Sequence, residues 1–323
     1  CPSITLNKDK VPPLDVLNIS HRHQDHFDVR TLAYLVKNEK ILTPDTLVLA
    51  PQDNLLLDIL NELEFKNIKV VTDFEPIKIK DVTITPTPSR NQLSTAEDPF
   101  PEHGLLVNDG EVTIWNQVDS LVDPEIIQQV GELYGQIDFF HSRFVPLIEG
   151  NLSYNKPLTL PISEYCTFLN IVKALNPRFV VPGSAAFRYR DELLFMNQVS
   201  FPITQDQFLR DLEAFCPEVP KAPFFPGDIA HISKEIIEIK KQSSDFVQVR
   251  EDDSHLITFK PQAYIPVITT QTNDPIEYKR EMQVVDDFIG NCLLERVLKS
   301  ELLEGWKHWQ IVYQLEVFGQ NKP

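Results

Sequence analysis

At 323 residues the chain can bury a large core and accommodate one big domain plus a smaller one. Its formal charge of −17, from 47 acidic against 30 basic residues, would repel a phosphate backbone and sets nucleic acid aside as a partner; the acidity reads as solvated surface. No apolar run approaches the roughly 18 residues that cross a bilayer and no basic-then-apolar leader precedes Pro2, so no membrane insertion is expected. The cysteines, Cys1, Cys166, Cys216 and Cys292, show no paired metal or redox spacing, which points to a reducing cytoplasm. Cys166 and Cys292 lie in apolar helical patterns and read as buried, inert thiols.

A Pro- and Lys-containing coil leads to an apolar run over 14–19, then to a histidine-rich loop. Asp28 follows as a cap for a helix with Leu32, Leu35 and Val36 on one face. Strands are expected at 46–50, 68–71 and 82–86, with a helix over 55–63, an alternation that suggests α/β layering. Asn108-Asp109-Gly110 between apolar runs at 104–107 and 112–115 has hairpin chemistry, because these residues tolerate positive φ. Asp123-Pro124 reads as a cap and first helical position, and a buried strand follows at 137–140. A long polar loop at 151–161 suits the rim of a pocket. A helix over 163–175, a short strand at 178–182 and a helix over 205–215 complete the alternating part.

Beyond about Ile232 the texture turns to lysine and glutamate. A long helical pattern follows over 275–303, with Val285, Phe288, Ile289, Cys292 and Leu293 on its apolar side, and then an alternating strand over 309–318. The expected division is therefore a domain at 1–231 and an α+β appendage at 232–323.

The segment His21-Arg22-His23-Gln24-Asp25-His26 holds three of the chain's eight histidines and one carboxylate. Imidazole and carboxylate are the ligands that zinc, iron and manganese take, so the segment reads as a metal site. The plainer alternative is a polar loop that caps the next helix.

On a strand-to-helix loop, Asn18 through Asp28 resembles the signature of the metallo-β-lactamase superfamily, over about residues 14–228. The resemblance implies a four-layer αβ/βα sandwich with metal between the inner edges of two sheets. By it, His21 and His23 would serve one metal, Asp25 and His26 a second, and Asp119, in Val118-Asp119-Ser120 after a strand, would bridge them. Two imidazoles of the pattern are absent: Thr87-Pro88-Ser89-Arg90-Asn91-Gln92 stands where one belongs and Pro182-Gly183-Ser184-Ala185 where the other does. Either His103 or His141 swings in, or one metal remains on a subset of ligands, or the site binds metal weakly or not at all. The superfamily has strands before the histidine loop, so either an N-terminal piece lies outside this sequence or the first sheet is incomplete.

The texture of 177–187, 201–204 and 225–228 is similar to the branch of ascorbate-6-phosphate lactonase and N-acylphosphatidylethanolamine phospholipase D, and especially to the metallo-β-lactamase-like part of CMP-N-acetylneuraminate hydroxylase. The first reading is metal-dependent hydrolysis of an ester, lactone or phosphoester, with one or two divalent ions, zinc ahead of iron or manganese. In it Asp25 orients or deprotonates water, and Arg90 and Asn91 grip a small-molecule substrate, Asn116 being placed like Asn91. The second reading is iron-dependent oxidation, with electrons from another protein because no iron–sulfur ligand cluster is visible. The third is a non-catalytic binding protein on a degenerate fold.

Overall fold

The computed structural model describes residues 4–39, 41–90, 101–146, 148, 151, 157–183, 188–249, 256–261, 274–293 and 295. Two compact units divide the chain, Cys1–Ile265 and Pro266–Pro323. In the first, strand β1 (Ile4–Leu6) is followed by β2 (Val16–Asn18), helix α1 (Val29–Tyr34), β3 (Leu47–Ala50), α2 (Asn54–Glu62) and β4 (Ile68–Val70). Asp28 and Asp53 start the two helices by accepting the Thr31 and Leu56 backbone N–H. The strands form a parallel sheet in the order β2-β3-β4.

A second, six-stranded sheet follows, built from β5 (Ile77–Ile79), β6 (Val82–Pro88), β7 (His103–Asn108), β8 (Thr113–Asn116), β9 (Phe139–Arg143) and β10 (Val180–Gly183) in the order β10-β9-β8-β7-β6-β5. Strands β5 to β8 run antiparallel and β8 to β10 parallel. The β7–β8 turn is the expected one, with Gly110 at φ 95° and the Asp109 carboxylate accepting the Glu111 and Val112 N–H. Helices α3 (Pro124–Tyr134), α4 (Ile162–Leu175), α5 (Asn197–Ser200) and α6 (Gln205–Phe215) accompany the parallel half. Asp123 caps α3 with Pro124 at its first turn, as the sequence indicates.

Side-chain alternation along the strands sorts the chain into layers. Val48 and Ala50 of β3 pack with Leu32, Leu56 and Leu60 of the first two helices. Leu49, on the opposite face of the same strand, meets Ile77 and Ile84 of the second sheet. Leu106, Trp115, Phe140 and Val180, from the second sheet, pack on Ile126, Phe168, Val172 and Phe208 of α3, α4 and α6. The result is helix, sheet, sheet, helix, the α/β sandwich expected. Burying each of these large side chains contributes about 1.5–3 kcal/mol, which holds each helical layer on its sheet.

Strands β11 (Ile229–Ile232), β12 (Ile237–Lys240) and β13 (Val247–Val249) were not foreseen. β11 and β12 form a hairpin, and β13 pairs antiparallel with β1. These strands lie in the first unit, Cys1–Ile265. In the second unit, α7 (Pro275–Asp287) starts at the Asp274 cap and continues as a π-helical turn over Phe288–Leu293. The rest of the helix expected to 303 and the strand over 309–318 lie outside the described residues, apart from Glu295. Cys166 and Cys292 are exposed, a correction to their reading as buried thiols; each sits on the solvent side of its helix, and among the described cysteines Cys216 is the buried one. Among the described residues no helix is long and apolar enough to cross a membrane.

Candidate metal centre

The histidine loop is shaped by its two apolar ends. Ile19 and Phe27 both insert into the core beneath α1 and α2, so the residues between them arch over the end of β2. The His23 carbonyl accepts the backbone N–H of His26 and Phe27, closing a tight turn. Alternate side chains diverge. Arg22 pairs with Asp53 at 3.3 Å, while His21 and His23 stay together, with His21 Nε2 2.9 Å from His23 Nδ1. The turn brings His26 back over His21, with ring centroids 4.2 Å apart. Ser20 Oγ lies 3.0 Å from His21 Nδ1 and sets the plane of that ring.

Asp119 comes from the other sheet, just past β8. To reach it the chain passes through Val118 at φ 55°, a left-handed conformation that costs a β-branched residue on the order of 1–3 kcal/mol. The Asp119 carboxylate then meets the loop, with Oδ2 3.0 Å from His26 Nε2 and 4.0 Å from His21 Nε2. One ligand atom each from His21, His26 and Asp119 lies within 4.8 Å of the others. Asp25 sits beside them, 3.6 Å from His26 Nε2, and is 42% exposed.

The electrostatics divide the imidazoles. Burial, with His26 and His23 adding to it, lowers the His21 pKa to about 3, so its ring is neutral at pH 7. Burial also lowers the His23 pKa, against the pull of Asp25 and Asp119. For His26 burial acts downward, yet the hydrogen bond and charge of Asp119 outweigh it and the pKa is raised. Asp119 mirrors this: burial would raise its pKa, and the bond to His26 with the nearby Arg143 holds it below the usual carboxylate range. Two imidazoles and one carboxylate, largely buried and turned toward one another, form a donor set that fits a divalent cation.

The other sequence-derived candidates fall elsewhere. Arg90 directs its guanidinium to Asp123 at 2.8 Å and Glu125 at 3.6 Å, on the first turn of α3, while its backbone N–H donates to Leu121 O. Asn91 lies outside the described residues. His103 is buried with Nε2 3.0 Å from Asn18 Oδ1, and burial lowers its pKa to about 4. His141 has Nδ1 3.1 Å from Asn116 Oδ1, and its pKa is likewise lowered to about 4 by burial. Neither ring joins the trio of ligand atoms. A Cβ on Gly183 would lie 2.9 Å from the His141 ring, so glycine at this position makes room for that ring. Sequence reasoning gave no role to Ser20 or Arg143. Arg143 was detectable as a lone cation in the apolar run Phe139-Phe140-His141-Ser142-Arg143-Phe144-Val145.

No family model matches the chain. A curated relative, a Rieske 2Fe-2S iron-sulfur protein of Mycolicibacterium smegmatis, is 28% identical over 159 residues, 47% of this chain and 28% of the relative. The chain therefore spans little more than a quarter of that relative's length. Solved structures similar to the chain include CmlA, a diiron β-hydroxylase from Streptomyces venezuelae, with a TM-score of 0.49 and 19% identity over 67% of this chain and 45% of that one. They also include YhfI of Bacillus subtilis, a metallo-β-lactamase fold protein, with a TM-score of 0.44 and 13% identity over 67% and 77% of the two chains. Tm1679, a metal-dependent hydrolase of the β-lactamase superfamily, has a TM-score of 0.39 and 16% identity over 64% and 75%.

Proposed function

We propose that the chain carries the metal site of an enzyme and that the reaction is an iron-dependent oxidation of a small molecule. The observation that carries this reading is the convergence of His21, His26 and Asp119, because two histidines and one carboxylate are the donor set of non-haem iron oxygenases. The name of the mycobacterial relative supports it, since an iron–sulfur group is a source of electrons. With this chain's four cysteines far apart, that group would lie outside the present sequence, on a longer chain or on a partner. The replacement of the late imidazole by the small residues Gly183-Ser184-Ala185 fits the hydroxylase branch, as the resemblance implies.

What a bound ion would supply is electron transfer if it is iron, and polarisation of a scissile oxygen if it is zinc. The protein's own groups prepare the place. Burial keeps His21 unprotonated, the form that ligates a metal, with Ser20 fixing the ring. Asp119 contributes a negative charge held ionised by its neighbours. Asp25, half exposed beside His26, is placed to take a proton from water or substrate.

Hydrolysis of an ester, lactone or phosphoester is the second reading, favoured by His23 and Asp25, which flank the trio and would add imidazole and carboxylate donors of the kind zinc takes. Metal analysis of protein purified without chelator or added metal separates the two. About one iron per chain, reduced to a trace by His26→Ala, is the expected result. Stoichiometric zinc with turnover of an ester, lactone or phosphodiester would replace oxidation by hydrolysis. Protein that takes up neither metal and turns over none of these would leave the non-catalytic binding reading in its place.

A further inference from the structure

We propose that Arg143, at the end of β9, is the positioning residue for Asp119. The inference rests on the reading of Asp119 as a metal ligand. Its physical basis is a conflict within the turn over 117–120. Val118 is held in the left-handed region, and a turn so strained persists only where surrounding groups over-determine it.

Those groups are present and buried. Gln117 Nε2 donates to Ser120 O at 2.8 Å, and Ser120 N–H donates to Gln117 O at 3.1 Å. The Val118 N–H is taken by Asn116 Oδ1 at 3.0 Å. Strand β9 then holds the turn from the side. The Arg143 N–H donates to Gln117 Oε1 at 3.0 Å, and its Nη1 donates to the Asp119 carbonyl itself. Arg143 thus grips both ends of the step that aims the carboxylate at His26.

A guanidinium 2% exposed is costly to bury unless its partners use it. Apart from Asp119, Arg143 faces Glu164 Oε1 at 3.8 Å from Nη2 and the Phe168 ring at 5.3 Å from Cζ. Both belong to α4, so one side chain ties the ligand turn to the outer helical layer. A methionine would fill similar space and keep the backbone N–H bond to Gln117 Oε1, but supply neither the hydrogen bond to the Asp119 carbonyl nor the charge facing Glu164.

The test compares Arg143→Met and Arg143→Lys with the parent protein in two measurements. In the first, Co²⁺ is titrated and followed by its visible absorption. Arg143→Met is expected to weaken binding about 10- to 100-fold and alter the band shape, with Arg143→Lys recovering part of the affinity. In the second, amide hydrogen exchange is measured without metal. Arg143→Met is expected to speed exchange at Ser120 and Leu121 at least ~10-fold while α4 and the rest of β9 stay protected. If exchange rises evenly through the core, or not at all in the turn, Arg143 is merely structural and the proposal is overturned. Should the parent bind no Co²⁺ while the turn still loosens selectively, the metal reading fails and the positioning of Asp119 by Arg143 stands.

Discussion

The loop over 21–27 and the turn over 117–120 face each other across one site, yet they are built from different distances along the chain. The loop closes through hydrogen bonds from His26 and Phe27 to the carbonyl of His23, and it is pinned by apolar residues at its own ends. The turn contains a strained Val118 and takes its last restraint from Arg143, 24 residues further on. Three imidazoles can therefore be presented by a short stretch of sequence, whereas the single carboxylate that completes the donor set depends on the second sheet being assembled. This asymmetry predicts that the loop fails by losing an anchor and the turn by losing a clamp.

Phe27→Ala removes the loop's downstream anchor, a side chain only 5% exposed. The expected loss is about 3–5 kcal/mol of unfolding free energy in a denaturant titration. A loss below about 1 kcal/mol would show that the arch is held by the histidines and their neighbours instead.

Acid probes the seam beside the loop through His103, whose backbone N–H donates to Ser20 O. Its pKa is lowered from 6.5 to about 4 by burial. The unfolded chain takes up a proton below pH 6.5 that the folded chain refuses until about 4. Stability is thus fully present above pH 6.5 and falls as pH drops through that window, by up to about 3 kcal/mol. Urea midpoints measured from pH 7 to 4 should fall less steeply in His103→Gln than in the parent. Equal slopes would assign the acid sensitivity to other groups.

Val118→Gly addresses the turn. Glycine adopts the left-handed conformation without the penalty of a β-branched side chain, though it gives up some unfolded-state restriction. The net expectation is a gain of about 1 kcal/mol in metal-free stability, read by chemical denaturation. A loss of that size would mean the Val118 side chain packs too well for its backbone strain to matter.

Short-range chemistry made much of this fold legible. Asp28 and Asp123 each cap the helix that follows, and Asn108 to Gly110 make the β7–β8 turn. The spacing of His21, His23 and His26 disclosed the site because all three sit in one turn. By contrast, the β1–β13 pairing joins Ile4 to Val249, a contact that neither segment announces. Arg90 looked available for a substrate, but Asp123 and Glu125 on the neighbouring helix engage it. His103 and His141 looked like replacement ligands, and their pairing with Asn18 and Asn116 could be seen only once the strands lay side by side.

Local sequence, then, was enough to determine the layered α/β alternation, the helix starts and the histidine turn, because capping groups and apolar periodicity act within a few residues. Tertiary structure decided which imidazoles meet Asp119, since ligand atoms within 4.8 Å of one another come from the ends of two different sheets. It also decided how their proton affinities diverge, because the pKa of His21 and that of His26 move in opposite directions through burial and the nearness of one carboxylate, neither of which exists before the sheets pack.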